Sequence, residues 1–334
     1  MRIGLAGAGR IGAFHALTLA SLDGVDEVVV GDSRPDVARA VAASLPSGRA
    51  VDIEALLGTG VDALVIATST PGHAPLLRAA VDAGLPTFCE KPVAATLAET
   101  IDVVRVVEDS GVPVHIGFQR RFDPGYLRAR DAVRSGELGF VHTLRATTND
   151  RRPPEPAYIP TSGGIFRDCS VHDCDVVRFV TGREVVRAQA IGGTKGEAFF
   201  PEAGDVDSGA ALLGLDDGTI AILSTTRYHG QGHDVRLEVL GSAGSVAVGL
   251  DHSLALRSVE DAVDFPHGPV HDSFMDRFGP AYRAELTHFL AVARGDAPSP
   301  CTVRDALEAF RVAEACTLSL HEGRPVDLAE IPTT

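Results

Sequence analysis

The chain has 334 residues, 45% hydrophobic and 22% charged, enough apolar material for two domains with separate cores. A formal net charge of −15 offers no basic face, which argues against nucleic acid and anionic membrane surfaces as partners. Five cysteines (Cys89, Cys169, Cys174, Cys301, Cys316), odd in number and without a C-x-x-C pair, argue for a reducing, cytoplasmic setting rather than a disulfide framework or a zinc site.

The first third alternates strand-like and helix-like segments. Strands are expected at 2–6, 27–31, 62–68, 86–89 and 113–118, with helices at 13–22, 35–45, 73–83 and 97–110. The strands are continuous apolar runs, as in a parallel sheet covered on both faces, so the fold class is α/β, a doubly wound Rossmann arrangement. The apolar start of the chain is read as its first strand and turn rather than a targeting segment, and no run of roughly 18 apolar residues could cross a bilayer.

After about residue 122 the texture changes. Helices are expected near 124–135 and 165–181, then strands at 184–192, 208–215, 219–227, 233–240 and 244–249, and two closing helices at 280–294 and 303–321. Asp216-Asp217-Gly218 is a hairpin turn signal, and Val235-Arg236-Leu237-Glu238-Val239 alternates as a half-buried strand does. The expectation is a nucleotide-binding domain over 1–121, followed over 122–334 by a substrate-binding and oligomerisation domain of α+β type with a large, mostly antiparallel sheet.

Gly7-Ala8-Gly9-Arg10-Ile11-Gly12 is a G-x-G-x-x-G turn between a first strand and a helix. The first glycine permits the tight turn, the second lets a pyrophosphate approach the backbone, and the third lets helix and strand pack. Asp32 ends the second strand, where a carboxylate accepts from ribose hydroxyls and repels a 2′-phosphate. NAD is therefore favoured; Arg34, beside Ser33, leaves NADP open. Thr68 and His73 close the next strand and open its helix, and on these residues alone His73 could simply be a helix start.

Cys89-Glu90-Lys91-Pro92 falls at the C-terminal end of a parallel strand, where such sheets bind ligands. Of 30 basic residues only Lys91 and Lys195 are lysine, which marks Lys91 as chosen for an ammonium able to share a proton. The bland alternative is a surface lysine paired with Glu90. Further on, Asp168 and His172 fall at i and i+4 of a helix beginning near Gly163-Gly164. A carboxylate beside an imidazole suits a general base, and a surface pair or a metal site is also compatible with the spacing. His229, His233, His252, His267 and His271 follow no zinc pattern, and no metal is expected.

The glycine turn, Glu-Lys-Pro and the Asp-x-x-x-His helix, in this order, resemble the glucose–fructose oxidoreductase / inositol dehydrogenase / rhizopine catabolism (Gfo/Idh/MocA) family over essentially the whole chain. Gly117-Phe118-Gln119-Arg120-Arg121-Phe122-Asp123 and the stretch from Arg277 to Glu285 are similar to its inositol 2-dehydrogenase members. The resemblance implies an NAD(P)-dependent dehydrogenase acting on a polyol or sugar. Lys91 would then hydrogen-bond the reacting hydroxyl, His172 accept its proton, Asp168 orient that histidine and contact substrate, and Arg120 help to shape the site. Thr68, His73, Glu90 and Lys91 would line the cofactor cleft. It also implies a homodimer or homotetramer built on the outer face of the second domain's sheet. His233 stands where those enzymes tend to carry a substrate-contacting tyrosine, and the proline-rich loop 148–160 follows no inositol pattern, so the substrate could equally be a sugar or an amino-cyclitol. Two other functions share this fold: a cofactor-binding regulator without turnover, and a hydrolase in which held NAD cycles between redox states.

Overall fold

The structure, a computed structural model, describes residues 1–333. Two compact units emerge from the packing: Met1–Phe118 with Tyr282–Leu307, and Gln119–Ala281 with Glu308–Thr333.

The first unit is a six-stranded parallel sheet in the order β3-β2-β1-β4-β5-β6. Along the chain it runs β1 (Arg2–Ala6), α1 (Arg10–Ala20), β2 (Glu27–Asp32), α2 (Pro35–Ala43), β3 (Gly48–Asp52), β4 (Ala63–Ile66), α3 (His73–Asp82), β5 (Thr87–Glu90), α4 (Leu97–Ser110) and β6 (Val114–Gly117). Strand order reverses between β1 and β4, and it is at such a switch point that doubly wound sheets take up ligands. The five strands anticipated in sequence are present; β3 was not anticipated. It is an edge strand, mostly exposed, so its residues Gly-Arg-Ala-Val-Asp need no apolar pattern.

In the second unit, α5 (Pro124–Arg134) leads into β7 (Val141–Asn149). The short α6 (Ile159–Ser162) precedes α7 (Val171–Thr181) and β8 (Val185–Gly193). The chain continues through α8 (Phe199–Glu202), β9 (Ser208–Leu215), β10 (Ile220–Thr226), β11 (Asp234–Gly241) and β12 (Ser245–Val248). Two long helices, α9 (Phe274–Arg294) and α10 (Val303–Glu322), are followed by β13 (Val326–Asp327). The seven strands form one sheet, β12-β11-β7-β10-β9-β8-β13. It is antiparallel except where β7 and β10 run side by side in parallel. The Asp216-Asp217-Gly218 hairpin is present, with Gly218 at φ +88°.

Helix α9 explains why the packing departs from a simple division at 121/122. Its later residues Leu286, Phe289 and Leu290 join Ile3, Leu5, Val28, Val30, Val65 and Phe88 in one buried cluster, so this stretch completes the core of the first unit. The helix also begins six residues before the proline at which it was expected to start, with Pro280 inside it. In the second unit the inward face of the sheet carries Leu144, Ala146, Ala211, Leu213, Leu223 and Leu237, all buried. Its other face leaves Ile191 70%, Leu212 52% and Ile220 48% exposed. Among the described residues no helix is long and apolar enough to cross a membrane.

Candidate active site

The glycine turn and the residues around it belong to the first unit and are shaped by backbone. Gly7 sits at φ +95°, and a Cβ there would lie 2.5 Å from the Thr68 nitrogen. A Cβ on Gly12 would overlap the Gly7 carbonyl oxygen, whereas one on Gly9 would meet nothing within 4 Å. Two glycines are thus consumed by the turn and by helix–strand packing, and the third keeps an approach open. Helix α1 starts at Arg10 with Gly9 as its cap and no side chain on its first N–H groups. That leaves donors and the positive end of the helix dipole for a pyrophosphate. The residues present therefore fit a dinucleotide.

Asp32 is buried at the end of β2. Its carboxylate accepts the Ala8 N–H at 2.7 Å and the Arg34 N–H at 2.8 Å, which fixes it beside the loop while lone pairs remain for ribose hydroxyls. Ser33 Oγ is 3.5 Å from the same carboxylate. The Arg34 side chain is mostly exposed, its Nε 3.8 Å from Asp32. Arg10 is exposed and Ile11 half-buried on the first turn of α1.

His73 is turned inward. Its Nδ1 lies 2.7 Å from the Pro92 carbonyl oxygen and its Nε2 3.0 Å from that of Thr68, so the ring ties the end of β4 to the residue after Lys91. Lys91 itself is half-buried. Glu90 points into the unit, 2.6 Å from His15 Nε2 on α1.

The second unit holds Asp168 and His172, in a local geometry that the sequence spacing did not indicate. Gly163 and Gly164 both take positive φ, +82° and +94°, and the chain then enters a π-helical turn over Phe166–Ser170 before α7 begins at Val171. Asp168 therefore lies on the wide turn and His172 on the first turn of α7; such turns are common at functional sites. Both Asp168 oxygens are engaged: Oδ1 accepts from the Tyr158 hydroxyl at 2.9 Å and Oδ2 from Arg227 Nη2 at 2.6 Å. Arg227, 3% exposed, also donates from Nη1 to Asp150 at 3.0 Å, and the other Asp150 oxygen lies 3.5 Å from His233 Nδ1.

Charge in this network is fixed by its geometry. Burial alone would raise the Asp150 carboxyl, but His233 and Arg227 hold it below the usual carboxylate range. Burial opposes the Arg227 charge as well; the Cys169 sulfur and the Asp168 and Asp150 carboxylates outweigh it and push the guanidinium well up. Burial, then the neighbouring Asp168 charge, raises the Tyr158 hydroxyl far above the ordinary tyrosine range, so it stays a neutral donor.

Arg120 is buried, with Nη1 on Asp173 at 2.6 Å and Nη2 on Thr148 at 2.9 Å, and Arg121 grips Asp175. Both arginines thus anchor the start of α7 from below. The sequence reading did not identify Arg227, Asp150 or Tyr158. The signal for two of them was topological: β7 and β10 pair in parallel with Asn149 opposite Thr226, which sets Asp150 and Arg227 side by side one residue further on. Among the described residues no group of three His, Cys, Asp or Glu could hold a metal ion.

Comparison with known proteins gives this arrangement its class. Residues 1–118 match the oxidoreductase family with an NAD-binding Rossmann fold, and residues 126–247 match the GFO/IDH/MocA C-terminal domain. The chain belongs to the Gfo/Idh/MocA family of NAD-binding oxidoreductases. It is 37% identical to myo-inositol dehydrogenase Hyg17 of Streptomyces leeuwenhoekii, over 97% of this chain and 98% of that protein. The crystal structure of a putative myo-inositol dehydrogenase from Sinorhizobium meliloti superposes with a TM-score of 0.91 at 34% identity, covering 98% of this chain and 99% of that one. A scyllo-inositol dehydrogenase from Lactobacillus casei, solved with NAD(H) and scyllo-inositol, gives a TM-score of 0.88 at 26% identity, with 98% and 99% covered.

Proposed function

We infer that this protein is an NAD-dependent dehydrogenase that oxidises a secondary alcohol of a cyclitol or closely related sugar to the ketone. The observation that carries the reading is Asp168, pinned by Tyr158 and Arg227 one helical turn before His172. Such a fixed carboxylate is what a general base needs as its orienting partner. The inositol in the name of the Streptomyces relative, and the NAD(H) and scyllo-inositol bound in the Lactobacillus structure, support the choice of cofactor and substrate class.

In this reading Lys91 donates a hydrogen bond to the reacting hydroxyl and eases loss of its proton, and His172 accepts that proton. Asp168 holds the imidazole and takes a hydrogen bond from a neighbouring substrate hydroxyl. Asp150 and His233 supply further polar contacts to the ring of the substrate. Arg120 acts one step back, bracing Asp173 and hence the first turn of α7. Bound NAD supplies the hydride acceptor. Asp32, with both oxygens already tied to the loop, favours NAD over NADP. The apolar row Ile191, Leu212 and Ile220 on the uncovered sheet face supports assembly into a homodimer or homotetramer.

The test is reduction of NAD or NADP, followed by the near-ultraviolet absorbance of the reduced nicotinamide, with a panel of inositols, aldoses and amino-sugars. One polyol is expected to give turnover, with NAD preferred. Lys91→Ala is expected to abolish that turnover while leaving NAD binding nearly intact. Binding of NAD with silence across the whole panel would reject the dehydrogenase in favour of a regulator or a redox-cycling hydrolase.

A further inference from the structure

The contact between Glu90 and His15 lies in the first unit and is unexplained by the roles given so far. Glu90 is the last residue of β5 and is 8% exposed; His15, on α1, is fully buried. Their side chains meet at 2.6 Å, a distance typical of a charge-assisted bond. The imidazole is walled by Phe88, Tyr282 and Phe14, with ring centroids 5.5, 5.7 and 6.1 Å away. Its Nδ1 is buried and has no hydrogen-bond partner. A neutral ring donating through Nε2 leaves only a bare lone pair there, whereas an imidazolium would bury an unmatched N–H, which is the costlier arrangement. The arrangement the packing favours therefore has His15 Nε2 donating to the Glu90 carboxylate, with Nδ1 left bare. Room for that carboxylate is provided by Gly117 on β6, where a Cβ would lie 3.1 Å from Glu90 Oε2.

Sheet order indicates what this charge faces. Asp32 marks the adenosine side at the end of β2, and the glycine loop marks the pyrophosphate at β1. The other half of a dinucleotide must cross β4 toward β5, two strand spacings or roughly 10 Å from β1. The nicotinamide ring carries a positive charge when oxidised and none when reduced.

Resting on the assignment of NAD as cofactor, we propose that Glu90, held by His15, is a fixed negative charge at the nicotinamide end of the site that makes the protein favour the oxidised over the reduced cofactor. The ammonium of Lys91 is next in the chain, but it does not reverse the argument. Removing the Glu90 charge makes the local potential more positive by one unit whether or not the lysine is protonated.

The experiment measures dissociation constants of the full-length protein for NAD⁺ and NADH separately, by calorimetry or by quenching of NADH fluorescence. In Glu90→Gln the amide oxygen still accepts from His15, so the shape is kept and the charge is lost. The ratio of the two constants is expected to move against NAD⁺ by about tenfold, the order of one unit charge acting across a partly screened site. Glu90→Asp, which keeps the charge, is expected to stay within about threefold of the wild-type ratio. His15→Leu removes the donor but leaves the carboxylate, so the ratio is expected to move less than in Glu90→Gln. An unchanged ratio in Glu90→Gln, or equal weakening of both cofactors, overturns the proposal. Absence of binding by the wild-type protein would instead overturn the cofactor assignment itself.

Discussion

The glycine loop of the first unit and the Arg227 network of the second hold their groups in place by different means. The loop is nearly all backbone: a positive φ at Gly7, a close approach at Gly12 and an open face at Gly9, all within six consecutive residues. The network is all side chain, and its members come from five places in the chain, Asp150, Tyr158, Asp168, Arg227 and His233. Recognition of a pyrophosphate, the same in every dinucleotide, can be left to main-chain N–H groups and a helix dipole. If the proposed function holds, recognition of one polyol among many needs donors and acceptors at individually placed positions, which long-range side-chain pairs would supply. The first design tolerates change outside three glycines. The second couples every member through one guanidinium.

The sharpest way to break this comparison is to remove that guanidinium. Arg227→Met keeps the length of the side chain and strands two carboxylates in a buried site. Taking one partner from such a group costs about 3–5 kcal/mol of stability. The displaced Asp168 is expected to lower turnover by about 10²-fold, the scale associated with misplacing an orienting group. Arg227→Lys should recover charge but little turnover, because a single ammonium cannot present two parallel donors to Asp150 and Asp168. Thermal melting together with steady-state kinetics would check both. Turnover within a few-fold of wild type in Arg227→Met would mean that the network does not set the chemistry.

The same contrast explains what could be read in advance. The placement of Gly7, Gly9, Gly12 and Asp32 was legible because it follows from local geometry and a fixed spacing along the chain. Lys91 stood out through composition, and Asp168 and His172 through their interval. The π-helical turn between them was not legible, since an i,i+4 interval looks the same whether the helix is regular or widened. Arg227 and Asp150 were hidden for a topological reason. Strand β7 turns Thr143, Arg145 and Thr147 outward and only Leu144, Ala146 and Thr148 are buried on its inward face, so its apolar signal is thin. Without β7 the parallel pairing with β10 could not be drawn, and the two residues just past the strand ends had no reason to be joined. Tyr158 lies in the proline-rich loop, where no periodicity applies.

A smaller effect separates the glycines from one another. In Gly12→Ala the methyl group must displace the Gly7 carbonyl, and a loss of about 1–3 kcal/mol is expected, as for other overpacked sites. Gly9 has φ −68°, an ordinary value for alanine, and open space around it, so Gly9→Ala should melt within about 0.5 kcal/mol of wild type. Its cost should appear instead as weaker NAD binding, since the methyl occupies the approach to the pyrophosphate. Calorimetric unfolding and NAD titration of the two variants test the division. Equal melting losses, or unaltered NAD affinity in Gly9→Ala, would show that Gly9 is not the face kept open for the cofactor.

The mildest effect concerns Tyr126, buried on α5 in the second unit beneath the Arg120–Asp173 pair. Burial, only partly offset by Arg120, raises its hydroxyl from the usual 10.0 to about 12, and the oxygen has no hydrogen-bond partner. The unfolded chain releases this proton near its ordinary value and the folded chain does so later. The contribution to stability is therefore complete below pH 10 and declines as pH rises from 10 toward 12. At the midpoint of that window the loss is on the order of 1 kcal/mol. Tyr126→Phe removes both the titration and an unmatched buried hydroxyl. It should be neutral to slightly stabilising at neutral pH, by up to ~1 kcal/mol, and should flatten the alkaline decline. Denaturant unfolding of the two proteins across the alkaline range measures the slope directly. Parallel slopes would mean that Tyr126 finds a partner in solution, and that the base of α7 is more polar than its packing indicates.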